Sequence, residues 1–126
     1  MKKPRPTICL DFDGVIHSYR SPWQGPLVIP DPPTDGLFDW LHEMSKSYRL
    51  VVFSSRFSTP GAMEVAAGWM ADWRQVRGDP KKPFEVEFTA EKPPAVVYID
   101  DRAVRFDGDW SRITRESIDN FRPWNR

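Results

Sequence analysis

Three short apolar runs, each followed by polar residues, constrain most strongly how this chain can fold. The runs are Thr7-Ile8-Cys9-Leu10, Leu50-Val51-Val52-Phe53 and Ala95-Val96-Val97-Tyr98-Ile99. Short continuous apolar runs are typical of strands that are buried on both faces of a parallel sheet. Helical patterns lie between the runs, and strands that alternate with helices favour an α/β sandwich with a mostly parallel sheet.

Two amphipathic helices are expected between these strands. Residues 35–47 carry an apolar stripe with helical spacing. A second helix is expected to begin at Thr59-Pro60, a good N-cap and first-turn pair, and to end at Gly78. The other expected elements are an edge strand at 84–88, a turn at 107–109 and a helix near 111–120.

Two segments are less regular. The connection from Phe88 to Ala95 is shorter than a crossover between parallel strands normally requires. Either the edge strand at 84–88 is therefore antiparallel, or the fold is a trimmed version of the parallel sandwich. Residues 16–31 have no helical spacing and are expected to form a loop, or flap, with a short hairpin around Trp23-Gln24-Gly25-Pro26.

Charge and cysteine content narrow the class of protein. Eighteen basic and eighteen acidic side chains cancel, so the chain lacks the overall basic excess of a nucleic-acid-binding protein. Cys9 is the single cysteine, which excludes an internal disulfide and favours a reducing, cytoplasmic location. The first apolar run is too short for a signal sequence or a membrane span. Residues 1–126 are expected to form one domain with no membrane association and no obligate protein partner.

Residues whose side chains can bind a metal ion or take part in catalysis follow all three runs. They are Asp11 and Asp13, then Ser54, Ser55 and Arg56, then Asp100 and Asp101, with Lys92 shortly before the third run. In open parallel sheets, sites form beyond the carboxyl ends of the strands, so these side chains are expected to meet. Two like charges at about 4 Å repel by about 4 kcal/mol at an effective dielectric constant of 20, which favours a bound cation. Oxygen ligands without nearby His or Cys indicate Mg²⁺. Together with the hydroxyl groups, the arginine and the lysine, such a cation would form a site that binds phosphoryl oxygens.

In their order along the chain, these residues resemble the four motifs of the haloacid dehalogenase (HAD) superfamily. The motifs are Asp11-Phe12-Asp13-Gly14-Val15, Ser54, Lys92 and Asp100-Asp101, and the resemblance covers residues 7 to about 107. It implies a three-layer, Rossmann-like sandwich with a small flap at 16–31 and no inserted cap domain. It also implies a magnesium-dependent phosphatase, because an acid at the position of Asp13 is typical of that family's phosphatases.

The resemblance implies a role for each matched residue. Asp11 would attack phosphorus and form an aspartyl-phosphate, and Asp13 would act as general acid and then general base. Ser54 would donate a hydrogen bond to a phosphoryl oxygen, and Lys92 would neutralise the transferring group. The implied magnesium ligands are Asp11, the main-chain carbonyl of Asp13, Asp100 and Asp101.

A more local resemblance concerns the substrate. Phe53-Ser54-Ser55-Arg56 and Tyr98-Ile99-Asp100-Asp101-Arg102 are similar to the phosphatase half of bacterial and phage polynucleotide kinases. There an arginine at the position of Arg56 contacts substrate phosphate, although Ser55 stands where glycine is expected. A nucleotide or polynucleotide 3′-phosphate is the substrate that this resemblance implies, with Gly14 and Ser55 as further binding residues. The partner is then a phosphorylated small molecule or a nucleic-acid end.

Four aromatic residues have more than one interpretation, and one histidine has a structural interpretation. Tyr19 and Trp23 in the flap would either pack on the flap itself or contact a ligand. Trp110 and Trp124 offer surfaces on which bases could stack. His17 is expected to be a structural residue of the flap.

Other functions compete with the phosphatase. A receiver domain also combines acids, a hydroxyl group and a lysine, but its lysine comes last, whereas Lys92 precedes Asp100 and Asp101. A two-metal nuclease would explain four carboxylates, yet it leaves Ser54 and Lys92 without roles. A catalytically silent binding module is the non-enzyme alternative.

Overall fold

A computed structural model describes residues 4–126, which form one four-stranded sheet. Its elements are β1 (Thr7–Asp11), α1 (Leu37–Ser45), β2 (Arg49–Phe53), α2 (Ala62–Arg77), β3 (Glu87–Thr89), β4 (Val97–Ile99) and α3 (Arg115–Asp119). The strand order is β3-β2-β1-β4 and every pairing is parallel. The predicted α/β class and parallel sheet are confirmed. The edge strand expected at 84–88 is the shorter β3, which is parallel to β2 rather than antiparallel. Within residues 4–126, no helix is long and apolar enough to cross a membrane.

Both long helices pack on the same face of the sheet. Ile8 and Leu10 of β1 pair with Leu50 and Val52 of β2, and these four side chains share one core with the buried residues of α1 and α2. The crossovers from β1 to β2 and from β2 to β3 both move toward the β3 edge of the sheet. Because such connections are right-handed, both helices lie on the same face. The short α3 contains no buried residue. The second helical layer of the predicted three-layer sandwich is therefore not found in residues 4–126.

The third apolar run forms an edge strand, so the prediction that it is buried is wrong. β4 pairs with β1 on one side only. Val96, Val97 and Tyr98 are 64%, 49% and 45% exposed, respectively. An apolar run predicts a strand, but the order of strands in the sheet decides which strand is covered.

Several helix boundaries differ from expectation, including both ends of α1, which is expected over 35–47 but spans Leu37–Ser45, whereas the end of α2 agrees. α2 begins after Gly61, whose φ of 85° redirects the chain, so the prediction that it begins at Thr59-Pro60 is wrong. A 3-10 turn at Ser55–Ser58 occupies the start of this connection instead. Gly78 ends α2 as predicted: its backbone is extended, and only glycine fits there because a Cβ would lie 2.6 Å from the carbonyl oxygen of Arg74. The expected helix near 111–120 is a 3-10 turn at Trp110–Arg112 followed by α3.

The flap at 16–31 contains no hairpin ladder, which corrects the prediction around Trp23–Pro26; its two isolated bridges join His17 to Asp13 and to Pro33. Three prolines in this segment lack the N–H group that a ladder requires. Side chains satisfy part of its backbone instead: Arg56 donates to the carbonyls of Pro26 and Val28, and Asp31 accepts the main-chain N–H of Ser21. The flap is thus held by specific polar contacts.

Candidate active site

Strand register brings the three sets of predicted site residues to one edge of the sheet. Asp11, the last residue of β1, pairs with Phe53, so Ser54 follows directly beside it. On the other side, Ile99 pairs with the residue before Asp11, which places Asp100 next to Asp11. The carboxyl ends of the two strands that flank β1 therefore face the same crevice, as expected for an open parallel sheet.

Three of the four predicted carboxylates form a cluster. Asp11, Asp100 and Asp101, here called the aspartate triad, each offer an oxygen atom within 4.8 Å of the others. Both carboxylate oxygens of Asp101 are buried without a hydrogen-bond partner among residues 4–126. Burial, followed by the charge of Asp100, raises the pKa of Asp11 to about 8. Burial also raises the pKa of Asp101. Unpartnered oxygens and crowded like charges fit a hard cation.

Gly14 permits the close approach that brings Asp101 into the triad. Its φ is 85°, and a Cβ at this position would lie 2.0 Å from Oδ2 of Asp101. Any side chain here would therefore displace the Asp101 carboxylate. The predicted substrate-binding residue Gly14 thus lies against the triad, and its carbonyl oxygen accepts a 2.7 Å hydrogen bond from Nε1 of Trp124.

Asp13 is not part of the triad and has its own set of partners. Arg56 donates to both of its carboxylate oxygens, from Nη2 at 2.8 Å and from Nε at 3.1 Å, and Nδ1 of His17 lies 2.8 Å from Oδ1. Nε2 of buried His17 accepts the main-chain N–H of Asp31, so the ring proton lies on Nδ1 and points to Asp13. Burial alone would raise the pKa of Asp13, but the hydrogen bonds from His17 and Arg56 hold it below its usual value.

Arg56 is buried, and every nitrogen of its guanidinium group forms at least one hydrogen bond. Nε and Nη2 bind Asp13, while Nη1 donates to the carbonyls of Pro26 and Val28 at 3.0 Å each. The guanidinium also lies 4.7 Å from the ring centroid of Trp23. The predicted phosphate-binding arginine therefore joins the 3-10 turn, in which it lies, to the flap and to the loop that follows β1.

The remaining predicted residues occupy different positions. Ser54 is buried, and its Oγ accepts the main-chain N–H of Arg56 at 3.2 Å, while Ser55 is exposed. Lys92 is exposed, and its ammonium group lies 4.5 Å from the ring centroid of Tyr98. The structure thus brings Ser54 beside Asp11 and leaves the Lys92 ammonium on the outer strand β4.

Sequence reasoning missed several contacts from the C-terminal segment. Besides the Trp124 hydrogen bond to Gly14, Nδ2 of Asn125 donates to the carbonyls of Ser18 and Tyr19 at 3.0 and 2.9 Å. More than 100 residues separate these partners, so no periodic pattern or motif spacing could indicate the contacts. A φ of 51° at Tyr19 shows that this part of the flap has an unusual backbone.

No family model, no curated protein and no solved structure matches this chain.

Proposed function

We propose that this chain is a magnesium-dependent phosphomonoester hydrolase of the HAD type, with Asp11 as its nucleophile. The observation that carries the proposal is the aspartate triad, whose buried Asp101 oxygens have no hydrogen-bond partner among the described residues. Mg²⁺ would be held by the triad and the main-chain carbonyl of Asp13. When bound, it would neutralise the like charges and polarise a phosphoryl oxygen.

The proposed reaction has two steps. A carboxylate oxygen of Asp11 forms a bond to phosphorus while the bond between phosphorus and the ester oxygen breaks, and water then hydrolyses the aspartyl-phosphate. Ser54 can assist, because its Oγ accepts the Arg56 N–H and its own proton stays available for a phosphoryl oxygen. Lys92 would have to leave the ring of Tyr98 to reach the same group.

The surroundings of Asp13 suit its proposed role as general base better than its proposed role as general acid. Its lowered pKa keeps the carboxylate ionised, which suits acceptance of a proton from the hydrolytic water. Donation to the leaving group requires a protonated Asp13, and the Arg56 pair opposes protonation. We therefore expect aryl phosphates, whose leaving groups need little protonation, to react much faster than alkyl phosphates.

Phosphate release from an aryl phosphate tests the proposal. Purified protein should turn over with Mg²⁺, and Asp11→Asn should reduce the rate to background, whereas the exposed Asp107→Asn should leave it unchanged. Asp13→Asn should lower the rate about 10²–10⁴-fold. If wild type shows no turnover with Mg²⁺ and Asp11→Asn behaves identically, the proposal is wrong. Beryllofluoride trapped on Asp11 would distinguish a covalent intermediate from direct attack by water.

One observation favours the catalytically silent alternative. Asp13 is paired with Arg56, and the Lys92 ammonium lies over Tyr98, so two of the proposed catalytic groups are engaged elsewhere. A silent module would bind Mg²⁺ at the triad but would release no phosphate. Cleavage of internal phosphodiester bonds would instead indicate a nuclease.

The proposed substrate is a phosphorylated small molecule or a nucleic-acid end, and the proposed location of the enzyme is the cytoplasm. The first candidate to test is a nucleotide or polynucleotide 3′-phosphate. Contact between Arg56 and substrate phosphate would require Arg56 to release Asp13. A screen of nucleotides, 3′-phosphorylated oligonucleotides and sugar phosphates, repeated with Arg56→Ala, tests this contact. An unchanged substrate profile would contradict it.

A further inference from the structure

A pocket of about 590 Å³ extends from the triad, and the part beyond Asp100 and Asp101 has no role in the proposed reaction. Its lining includes Asp100, Asp101 and Gly14 at the ends of the strands, and Arg20, Arg77 and Trp124 from other parts of the chain. The pocket therefore has an acidic part that belongs to the triad and also contains two arginines. A ligand that fills it would face both kinds of charge.

Arg77 is positioned by its neighbours while part of its guanidinium stays free. Nη1 donates to the carbonyl of Pro33 at 3.2 Å, and the group lies 4.7 Å from the ring centroid of Trp73. Nε and Nη2 form no hydrogen bond within the described chain. Its nearest carboxylate partner, Asp35, is 4.0 Å away and fully exposed, so this ion pair is weak.

Arg20 and Ser18 add unpartnered groups to the same pocket. Arg20 is exposed, and no carboxylate within residues 4–126 forms a salt bridge with it. Ser18 is buried, and its hydroxyl has no hydrogen-bond partner in the described structure. A buried hydroxyl without a partner is costly, and a ligand oxygen would satisfy it.

Trp124 supplies a fixed apolar surface next to these groups. Its Nε1 is hydrogen-bonded to the carbonyl of Gly14, which holds the indole in place, yet the side chain is 57% exposed. A ring held in this way can cover the carbon part of a ligand without a further cost of ordering.

We propose that this pocket binds a small molecule with two anionic groups, one held by Arg20 and Arg77 and the other reaching the cation at the triad. The proposal rests on the proposed function only for that cation. The ligand is either the far end of the substrate or a separate effector. Both share the same chemistry, because guanidinium groups pair with phosphate or carboxylate oxygens.

Calorimetric titration with inorganic pyrophosphate at saturating Mg²⁺ tests the pocket. We expect the double variant Arg20→Gln/Arg77→Gln to bind pyrophosphate at least about tenfold more weakly than wild type, because it loses charge-assisted hydrogen bonds. Arg105→Gln/Arg115→Gln removes two exposed arginines elsewhere and should bind within about twofold of wild type. The single variant Arg20→Gln, at an exposed position, should show a smaller loss and checks that the effect does not reflect misfolding. Equal affinity in wild type and the Arg20/Arg77 variant, or no binding by wild type, would overturn the proposal.

Kinetics separate the two sources of the ligand. If the pocket receives the far end of the substrate, pyrophosphate should raise the apparent KM for an aryl phosphate and leave kcat unchanged. If it receives an effector, pyrophosphate should change kcat at saturating aryl phosphate. Loss of hydrolysis with intact pyrophosphate binding would reject the phosphatase and keep the pocket. An active enzyme whose pyrophosphate affinity ignores Arg20 and Arg77 would reject the pocket alone.

Discussion

Asp11 and Asp13 are two residues apart, yet their surroundings are opposite. Asp13 receives hydrogen bonds from Arg56 and His17, and its pKa is lowered. Asp11 faces Asp100 and Asp101, and its pKa is raised to about 8. The Asp13 carboxylate is satisfied by hydrogen bonds from the protein itself, whereas the Asp11 carboxylate needs a proton or a cation. The Asp13 side thus helps to hold the fold together, whereas the Asp11 side carries a cluster of like charges that no salt bridge among residues 4–126 compensates.

The largest expected effect comes from breaking the satisfied side. Arg56→Met should lower the free energy of unfolding by about 3–5 kcal/mol, because it leaves the Asp13 carboxylate largely buried without its main partner. Urea denaturation monitored by circular dichroism would measure the loss. Arg49→Met is the matched control: it breaks an exposed pair with Glu87 and should cost much less. Similar losses in the two variants would contradict the comparison.

Neutralising each aspartate in turn should give changes of opposite sign. In EDTA at pH 7, Asp13→Asn should destabilise the protein by about 1–3 kcal/mol, because charge-assisted hydrogen bonds are lost. Asp11→Asn should stabilise it by on the order of 2 kcal/mol, because a crowded, partly buried acid is replaced by a neutral amide. Thermal and urea unfolding of both variants would measure these shifts. Destabilisation by both substitutions would show that the triad is satisfied by contacts within the protein.

The pH dependence of stability should follow the raised pKa of Asp11. Since the folded-state pKa of about 8 exceeds the ordinary value of 3.8, the stabilising contribution is fully present below about pH 4 and is lost as the pH rises through 8. In EDTA, the melting temperature should therefore fall between pH 5 and pH 8, and Asp11→Asn should flatten this dependence. Saturating Mg²⁺ should restore stability at pH 8. A rise in melting temperature across this range in EDTA would contradict the assignment.

The smallest expected effect concerns how the C-terminal segment supports the unsatisfied side. Trp124→Phe keeps a ring but removes the N–H donor to the Gly14 carbonyl, and it should cost about 1 kcal/mol in the free energy of unfolding. Trp110→Phe changes an exposed tryptophan and should have little effect on stability. Equal and negligible losses of unfolding free energy in the two variants would show that the Trp124 hydrogen bond does not hold the loop that contains Gly14.

Local patterns in the sequence determined the strands, the parallel α/β class and the position of polar residues at the strand ends. Each apolar run contains a strand, and the polar residues after β1, β2 and β4 lie at one edge of the sheet, because parallel strands all end on the same side. Part of the candidate site follows directly: strand register places Asp100 beside Asp11, and Gly14 leaves the room that Asp101 needs to join them.

Only the tertiary structure decided which groups pair and which strands are covered. Arg56 binds Asp13 across 43 positions of the sequence, and Trp124 reaches Gly14 across 110. The apolar run at β4 lies at the edge of the sheet and stays exposed. Burial and ion pairing depend on side chains from distant segments, so local spacing cannot reveal them. The sequence thus placed Asp11 and Asp13 at one strand end, and packing gave one of them partners and the other a cluster of like charges.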